Sequence, residues 1–551
     1  MKIETFVVPT KDKEILIKPA YEDIPGLIDS NIERFKSYKF NIRGIPFPEF
    51  RKHARTEILE KAGKYSEWIW SICSRLEIGR KRDSSDFHNP HNSRTPDKPI
   101  IQTGYPPILA HPGILIKDSL VNTIAEKTKG IGINMVVDND TCHDNWLNIP
   151  NINRLEPSTE KIEFIPNLQG LAFEEAGHTD LTQLTTFKKD VLRILSNPDM
   201  KDTFTNFIDI GIKLCKEIQR LSDLFTSARC AYLQKFSINN LEIPVSLICE
   251  TESFLNFFLH ITKDIRNFAR IYNAKLEEYR KLKRISSKAN PLPDLKEKGH
   301  VIELPFWIWK ENEPRKQLFA SIITDKQINL MYENIIVTSL DFCGNGNQSD
   351  NLQKLRNLIS IGIKIRPKAI VNTMYSRMFF SDLFIHGVGG AKYDLITDEI
   401  IRTFFGVEPP GYAIITATLH LPYKPHDVSS EDIRKLKHVI KDMDYNPERY
   451  ASGKIMEDAE MKSMVNEKKK LITAEMHNGE EKHRTFSRLK QLNSLMKEKI
   501  EPLIEEREKE TEEVEKKLIY NSIVTNREYP FCIYPESMLR ELFSRVKVKY
   551  N

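Results

Sequence analysis

The sequence predicts an α/β fold, a parallel sheet interrupted by a helical insertion and followed by a C-terminal antiparallel helical hairpin. Three stretches predict it. Pro99 to Asp144 reads as strand, loop, helix and strand: P-I-I-Q-T-G, the loop Y-P-P-I-L-A-H-P-G, an amphipathic helix from Ile114 to Lys127, then I-G-I-N-M-V-V-D-N-D. That order is a βαβ unit. The short apolar run Leu383 to Ile385 leads, through His386, Gly387, Val388, Gly389, Gly390, Ala391 and Lys392, into a helical pattern at Leu395, Ile396, Ile400, Ile401 and Phe404. From Ile455 to Asn526 nearly every residue favours helix, and Leu489, Leu492, Met496, Ile500, Leu503, Val514 and Leu518 draw a narrow stripe like a coiled-coil seam.

Taken in order, residues 1–95 form an N-terminal α/β segment joining the core. Thr5 to Val8 and Ile15 to Ile17 read as short strands, Pro48 through Trp70 as helix, and Arg80 to Pro96 as a polar loop. Residues 96–145 are the first part of the core. Residues 146–300 are a helical insertion, with helices expected at Leu181 to Leu195, Phe204 to Leu224 and Glu250 to Arg284. Glu250, Glu252, His260 and Arg266 there read as a solvated face. Residues 301–425 are the second part of the core, where the sheet resumes. Val301 to Trp309 and Leu318 to Ile323 look like a hairpin, with Pro305 arguing for an edge strand because proline donates nothing to a ladder. Arg315 beside the turn reads as an exposed charge, and Gly411 to Leu421 as a further strand. Residues 426–551 are the helical region: Ser429 and Ser430 suit a cap, His477-Asn478-Gly479 marks the reversal, and the apolar tail Tyr529 to Pro535 must dock, with Cys532 in a core.

A chain of 551 residues is long enough for two or three units sharing a large core. Its net charge of +5, from 82 basic and 77 acidic residues, provides no global field for nucleic acid or a membrane. The 7 cysteines contain no C-x-x-C pair, which argues for reduced thiols rather than a disulfide framework or zinc ribbon. There is no basic-then-apolar signal at Met1 and no run of the ~18 uncharged apolar residues that a span needs, so a soluble, cytoplasmic protein is expected.

In open parallel sheets ligands sit outside the carboxyl ends of the strands. Two groups fall there: Thr103, Gly104, His111, Gly113 and Lys117 after the first strand, and Asp138, Asp140, His143 and Asp144 after the second. The bland readings are a satisfied structural His111 and ordinary turn chemistry for the aspartates. Asp-x-Asp with His143 could also hold a metal, though the spacing fixes no ligand set. Around Gly387, Gly389 and Gly390, backbone N–H groups can turn to a ligand, a helix start adds about half a positive charge, and Lys392 adds a mobile cation. The place suits phosphate or carboxylate. Its spacing is neither G-x-G-x-x-G nor a P-loop, and a turn in which glycine supplies φ > 0 is the alternative. Arg366, Lys368, Arg377, Asp382, Tyr393, Asp394 and Asp398 crowd the same segment, and buried charges need partners or a ligand.

Three of these stretches resemble the cysteine-adding enzymes of bacillithiol biosynthesis, a cysteine-ligase family. Q-T-G-Y-P-P-I-L-A-H-P-G-I-L-I-K is similar to that family's Thr-Gly then Gly-Pro segment with a following lysine. V-V-D-N-D-T-C-H-D resembles its Asp-His-Asp patch, and I-R-P with H-G-V-G-G-A-K-Y-D its Arg-Pro and Gly-Gly-Pro-Gly-Glu stretch. Tyr105-Pro106 stands where the family tends to have two glutamines, and Ala391-Lys392 replaces Pro-Gly. The resemblance implies a Rossmann-like nucleotide-binding core, a coiled coil pairing two subunits, and ATP-assisted attachment of cysteine to an amine.

Two functions follow as expectations. In the first, an ATP-dependent ligase, the glycines, Lys392, His386, Tyr393 and Asp394 with Thr103, Gly104, His111, Gly113 and Lys117 hold ATP or ADP. Arg366 and Arg377 clamp a carboxylate or phosphoryl charge, and Asp138, Asp140 or His143 takes the amine's proton or holds Mg²⁺. Its partners would be a nucleotide, an amine or amino acid, and a second copy of the chain. In the alternative, the α/β fold is a non-catalytic scaffold assembling through its coiled coil. The ligase reading requires the His111 corner and the His386–Lys392 turn to adjoin.

Overall fold

The computed structural model describes residues 6–79, 95–141, 145–153, 156–165, 168, 170–177, 180–343, 347–475 and 477–548. Thr5, most of the expected loop after Gly79, and His143 with Cys142 and Asp144 therefore lie outside the described residues. The chain divides into two units: Met1–Ile149 with Glu160–His420 and Arg527–Asn551, and Pro150–Thr159 with Leu421–Asn526.

The first unit is α/β. Its central sheet takes β1 (Ile15–Lys18), β2 (Ile100–Tyr105), β3 (Ile131–Val136) and β4 (Leu241–Pro244). A second sheet follows in sequence: β5 (Val301–Lys310), β6 (Lys316–Thr324), β7 (Gln327–Tyr332), β8 (Ile335–Asp341) and β9 (Ile363–Pro367). The chain then returns to the central sheet with β10 (Leu383–His386) and β11 (Tyr412–Ala417). The central order is β1-β11-β10-β2-β3-β4, mostly parallel, with β1 antiparallel on β11. Every residue of β3 and β10 is buried, which is why these strands read as continuous apolar runs rather than alternating ones.

The path runs outward in both directions from β2 and β10, so the strand order reverses between them. Register places Ile385 opposite Thr103 and His386 opposite Ile414. Helix α1 (Phe47–Arg75) packs Phe47, Phe50, Ala54 and Ile58, at three-and-four spacing, into the main core with Ile100, Ile133 and Met135. Helix α2 (Pro112–Thr128) joins β2 to β3. The insertion contributes, among others, α3 (Leu221–Leu233) and α4 (Ile265–Lys283), and α5 (Val388–Phe404) joins β10 to β11. Right-handed crossovers leaving the reversal point in opposite directions put α2 and α5 on opposite faces of the sheet.

Several expectations are corrected. The helical insertion also supplies β4 of the central sheet. Residues 301–341 build the second, antiparallel sheet, so the central sheet resumes only at β10. Pro305 is not on an edge: β5 lies between β6 and β9, and the missing donor is accommodated where the β5–β6 register slips between Glu303 and Trp307. Residues 6–8 form no strand. Arg315 is half-buried, donating to Asn139 O at 2.7 Å, because its guanidinium folds back over Trp307. His260 is half-buried against Phe404 and Phe405 rather than solvated.

The second unit contains α6 (Ser430–Tyr445), α7 (Ala459–Thr473) and α8 (Gly479–Val524). Asn478 caps α8, accepting from Glu481 N at 2.8 Å, so the reversal falls where the Asn-Gly pair predicts it. The apolar stripe of α8 is covered by its own chain: Leu492 and Met496 by Met461 and Val465, Ile500 and Ile504 by Met443. In the first unit, Tyr529 to Tyr534 are wholly buried and lead into α9 (Glu536–Val548), which packs on α2. Among the described residues no helix is long and apolar enough to cross a membrane.

Candidate functional site

The carboxyl ends of β2 and β10 are tied together by Thr103 Oγ1, which donates to Ile385 O at 2.8 Å. Beyond β2 the chain turns into α2 with His111 as N-cap, in extended conformation, its Nδ1 accepting from Gly113 N at 3.1 Å. Pro112 at N1 has no N–H to leave unsatisfied. At Gly113 a Cβ would stand 2.3 Å from Ala417 O and 2.4 Å from Arg527 Nη2, so only glycine lets β11 and Arg527 close on the first turn of α2. Thr416 Oγ1 donates to Gly113 O and accepts from Arg527 Nη2 at 2.8 Å.

One turn further, Lys117 is 4% exposed. Its Nζ donates to Gly104 O at 2.9 Å and lies 4.6 Å from the centre of the Tyr105 ring. No carboxylate pairs with it among the described residues, and burial pushes its pKa down to about 8. His111 is held to about 3 by burial and by the cations Arg527 and Lys117. Exposed Glu528 approaches Arg527 Nε at 3.4 Å and His111 Nε2 at 3.5 Å. A helix N-terminus, an arginine and a buried lysine thus surround one neutral imidazole, an arrangement that favours an anion.

On the other face, Gly387 caps α5 with φ −83°, and none of Gly387, Gly389 and Gly390 is left-handed. The alternative in which they supply φ > 0 is thereby excluded; Gly389 and Gly390 stand exposed in the first turn of α5. His386 Nε2 lies 2.5 Å from Asp394 Oδ2, which accepts from Arg377 Nη1 at 2.8 Å. Lys392 and Tyr393 are exposed on the next turn.

The second predicted group is a separate cluster past β3. Arg366 grips Glu174 with two hydrogen bonds of 2.9 and 2.8 Å. Asp138 accepts from Ser246 N at 3.0 Å and Ser246 Oγ at 2.5 Å, and burial with neighbouring Glu174 pushes its carboxyl up to about 7. Asp140 pairs with Arg315 at 3.2 Å. The expected clamp roles of Arg366 and Arg377 are therefore corrected: carboxylates of the chain itself already occupy both guanidiniums, Arg377 also pairing with Asp398 at 2.7 Å. The described residues hold no group of three or more His, Cys, Asp or Glu placed for a metal ion.

The structure brings Thr103, Gly104, His111, Gly113, Lys117 and His386 to one end of the sheet, around the reversal between β2 and β10. Among the described residues no hydrogen bond or ion pair joins Asp138, Asp140 or Arg366 to them. Sequence reasoning missed Arg527 and Thr416. The signal for Arg527 was the apolar tail just after it, whose docking carries the arginine onto α2. Neither a family model nor a curated protein matches the chain.

Proposed function

We propose that the chain is an ATP-dependent, ligase-like enzyme with a Rossmann-like core, joining an amino-acid carboxylate to an amine at the carboxyl end of the central sheet. The observation that carries this reading is Lys117, a buried ammonium facing a carbonyl and a ring, with Arg527 and the start of α2 adding positive charge beside it. Burial outweighs the pull of the neighbouring Asp118 carboxylate on this ammonium, which has no ion-pair partner among the described residues; a buried cation without one costs several kcal/mol, and a phosphate oxygen is the natural counter-charge. Lys117, Arg527 and the α2 N-terminus hold phosphate, and the first N–H groups of α5 hold a second anion. Mg²⁺ travels on the phosphates, since it binds through few protein ligands.

Cysteine as the acid is carried by the family resemblance alone. Pairing of two chains through a coiled coil belongs to the same reading, by way of the exposed Ile472, Phe486 and Leu495. The test is hydroxamate formation with MgATP, hydroxylamine and each amino acid in turn. ATP-dependent hydroxamate from cysteine or another amino acid is expected; none from any of them rejects the ligase and leaves the scaffold.

A further inference from the structure

His386 ends β10 with its ring between those of Phe384 and Tyr412, at centroid distances of 4.5 and 5.1 Å. It is 6% exposed. Its Nε2 meets Asp394 Oδ2 at 2.5 Å, two turns into α5, and Arg377 fixes that carboxylate from outside the helix. Arg377 is held in turn by Asp398 and by the Pro410 carbonyl. The ring is thereby held in place with Nε2 beside a carboxylate at ion-pair distance, although Nε2 makes no hydrogen bond among the described residues.

The other nitrogen is free among the described residues. Nδ1 faces Gly390, where a Cβ would stand 2.9 Å away. Gly390 is exposed, so its missing side chain is an opening from solvent to a buried imidazole nitrogen. Gly389, its neighbour, has nothing within 4 Å of a built Cβ, so the tight approach is particular to position 390.

We propose that His386 is the general base of the transfer step, its Nδ1 accepting the proton of the attacking amine, with Asp394 and Arg377 as positioning residues. This rests on the ligase reading. The amine nitrogen forms its bond to the acyl carbon of an ATP-activated carboxylate. The acyl–oxygen bond breaks, and the phosphate or nucleotide leaves with the electron pair. The amine's proton passes to Nδ1, and Asp394 stabilises the imidazolium at Nε2. The groups facing the ring are Asp394 from α5, Arg377, and Lys117 from α2. Burial, with Arg377 and Lys117, depresses the imidazole against the opposing pull of Asp394, which keeps it unprotonated and able to accept.

Two measurements test this separately from the ligase reading. In the full chain with ¹⁵N-labelled histidine, the signal lost in His386→Asn should report Nδ1 unprotonated and Nε2 protonated at pH 7.5, and Asp394→Asn should shift it. A proton on Nδ1 overturns the proposal whatever the enzyme does. His386→Asn should retain hydroxamate formation from hydroxylamine, which is nucleophilic without a base, and lose roughly 100-fold or more in amide formation from a primary alkylamine, read by mass spectrometry. Gly390→Ala, which keeps the imidazole and closes the approach to Nδ1, should show the same split. Equal transfer to both nucleophiles in both variants overturns the base. Hydroxamate missing in the wild type rejects the ligase reading, and the nitrogen signals still decide whether His386 holds a free acceptor.

Discussion

Replacing Lys117 with methionine should make the ligand-free protein more stable. A fall in pKa from 10.5 to about 8 corresponds to about 3 kcal/mol that the folded chain spends keeping this ammonium charged at neutral pH. Methionine is of similar length and removes that cost. It also abandons the bond to Gly104 O and the contact with the Tyr105 ring, about 1–2 kcal/mol together. The net expectation is a gain of about 1–2 kcal/mol at pH 7, read from the urea midpoint. The sign extends to pH. With the folded pKa below the unfolded one, the unfolded chain binds more protons between about pH 8 and 10.5, so the lysine's contribution makes wild-type stability rise with pH there, and Lys117→Met should remove that rise. Saturating pyrophosphate should remove it too, by holding the lysine protonated. A variant destabilised by more than about 1 kcal/mol, with an unchanged slope, would mean that Lys117 already has a sufficient counter-charge and needs no anion.

Asp382, 5% exposed, accepts from Arg51 at 2.7 Å, Arg55 at 2.9 Å and Ile100 N at 2.7 Å. Asp382→Asn should cost about 3–5 kcal/mol by urea unfolding, because it strands two buried guanidiniums. Asp138 titrates near 7 when folded against an ordinary 3.8, so its contribution is fully present below about pH 4 and is lost as pH rises through 7. Asp138→Asn should flatten the stability profile over that window by a few kcal/mol. If a dimer forms through the second unit, charge at Ile472, Phe486 and Leu495, which are 60%, 69% and 39% exposed, should give a monomer in sedimentation at unchanged helicity. A dimer that persists would place the interface elsewhere.

The parts of the fold legible in the sequence were those whose signal is local. The βαβ unit at Pro99 to Asp144, the strand-to-helix turn at His386 to Val388 and the Asn478 cap each declare themselves within a dozen residues. Membership of a sheet is not local. Leu241–Pro244 is four residues among helices, and only its pairing with β3 makes it part of the central sheet. Val301–Lys310 reads as strand wherever it pairs, so its assignment to a second sheet and the bulge at Pro305 had to come from tertiary register. The site divided in the same way. His111, Gly113 and Lys117 stand at a predictable strand end. Arg527 reaches them because the tail after it is buried, a contact more than 400 positions away in sequence. Arg366 looked like a free ligand clamp because Glu174, 192 positions away, is invisible as a partner until the chain is folded; the partners of Arg377, Asp394 and Asp398, stood in the same stretch, but only the fold pairs them with it.

On the proposed function, the carboxyl ends of β2 and β10 hold a phosphate-bearing nucleotide against Lys117 and Arg527. Calorimetric titration of the full chain with MgATP tests it most directly. Saturable binding is expected in the wild type, weakened at least tenfold by Lys117→Met and by Arg527→Ala with the fold intact. Undiminished affinity in both variants, or a wild type that binds no nucleotide, would contradict it.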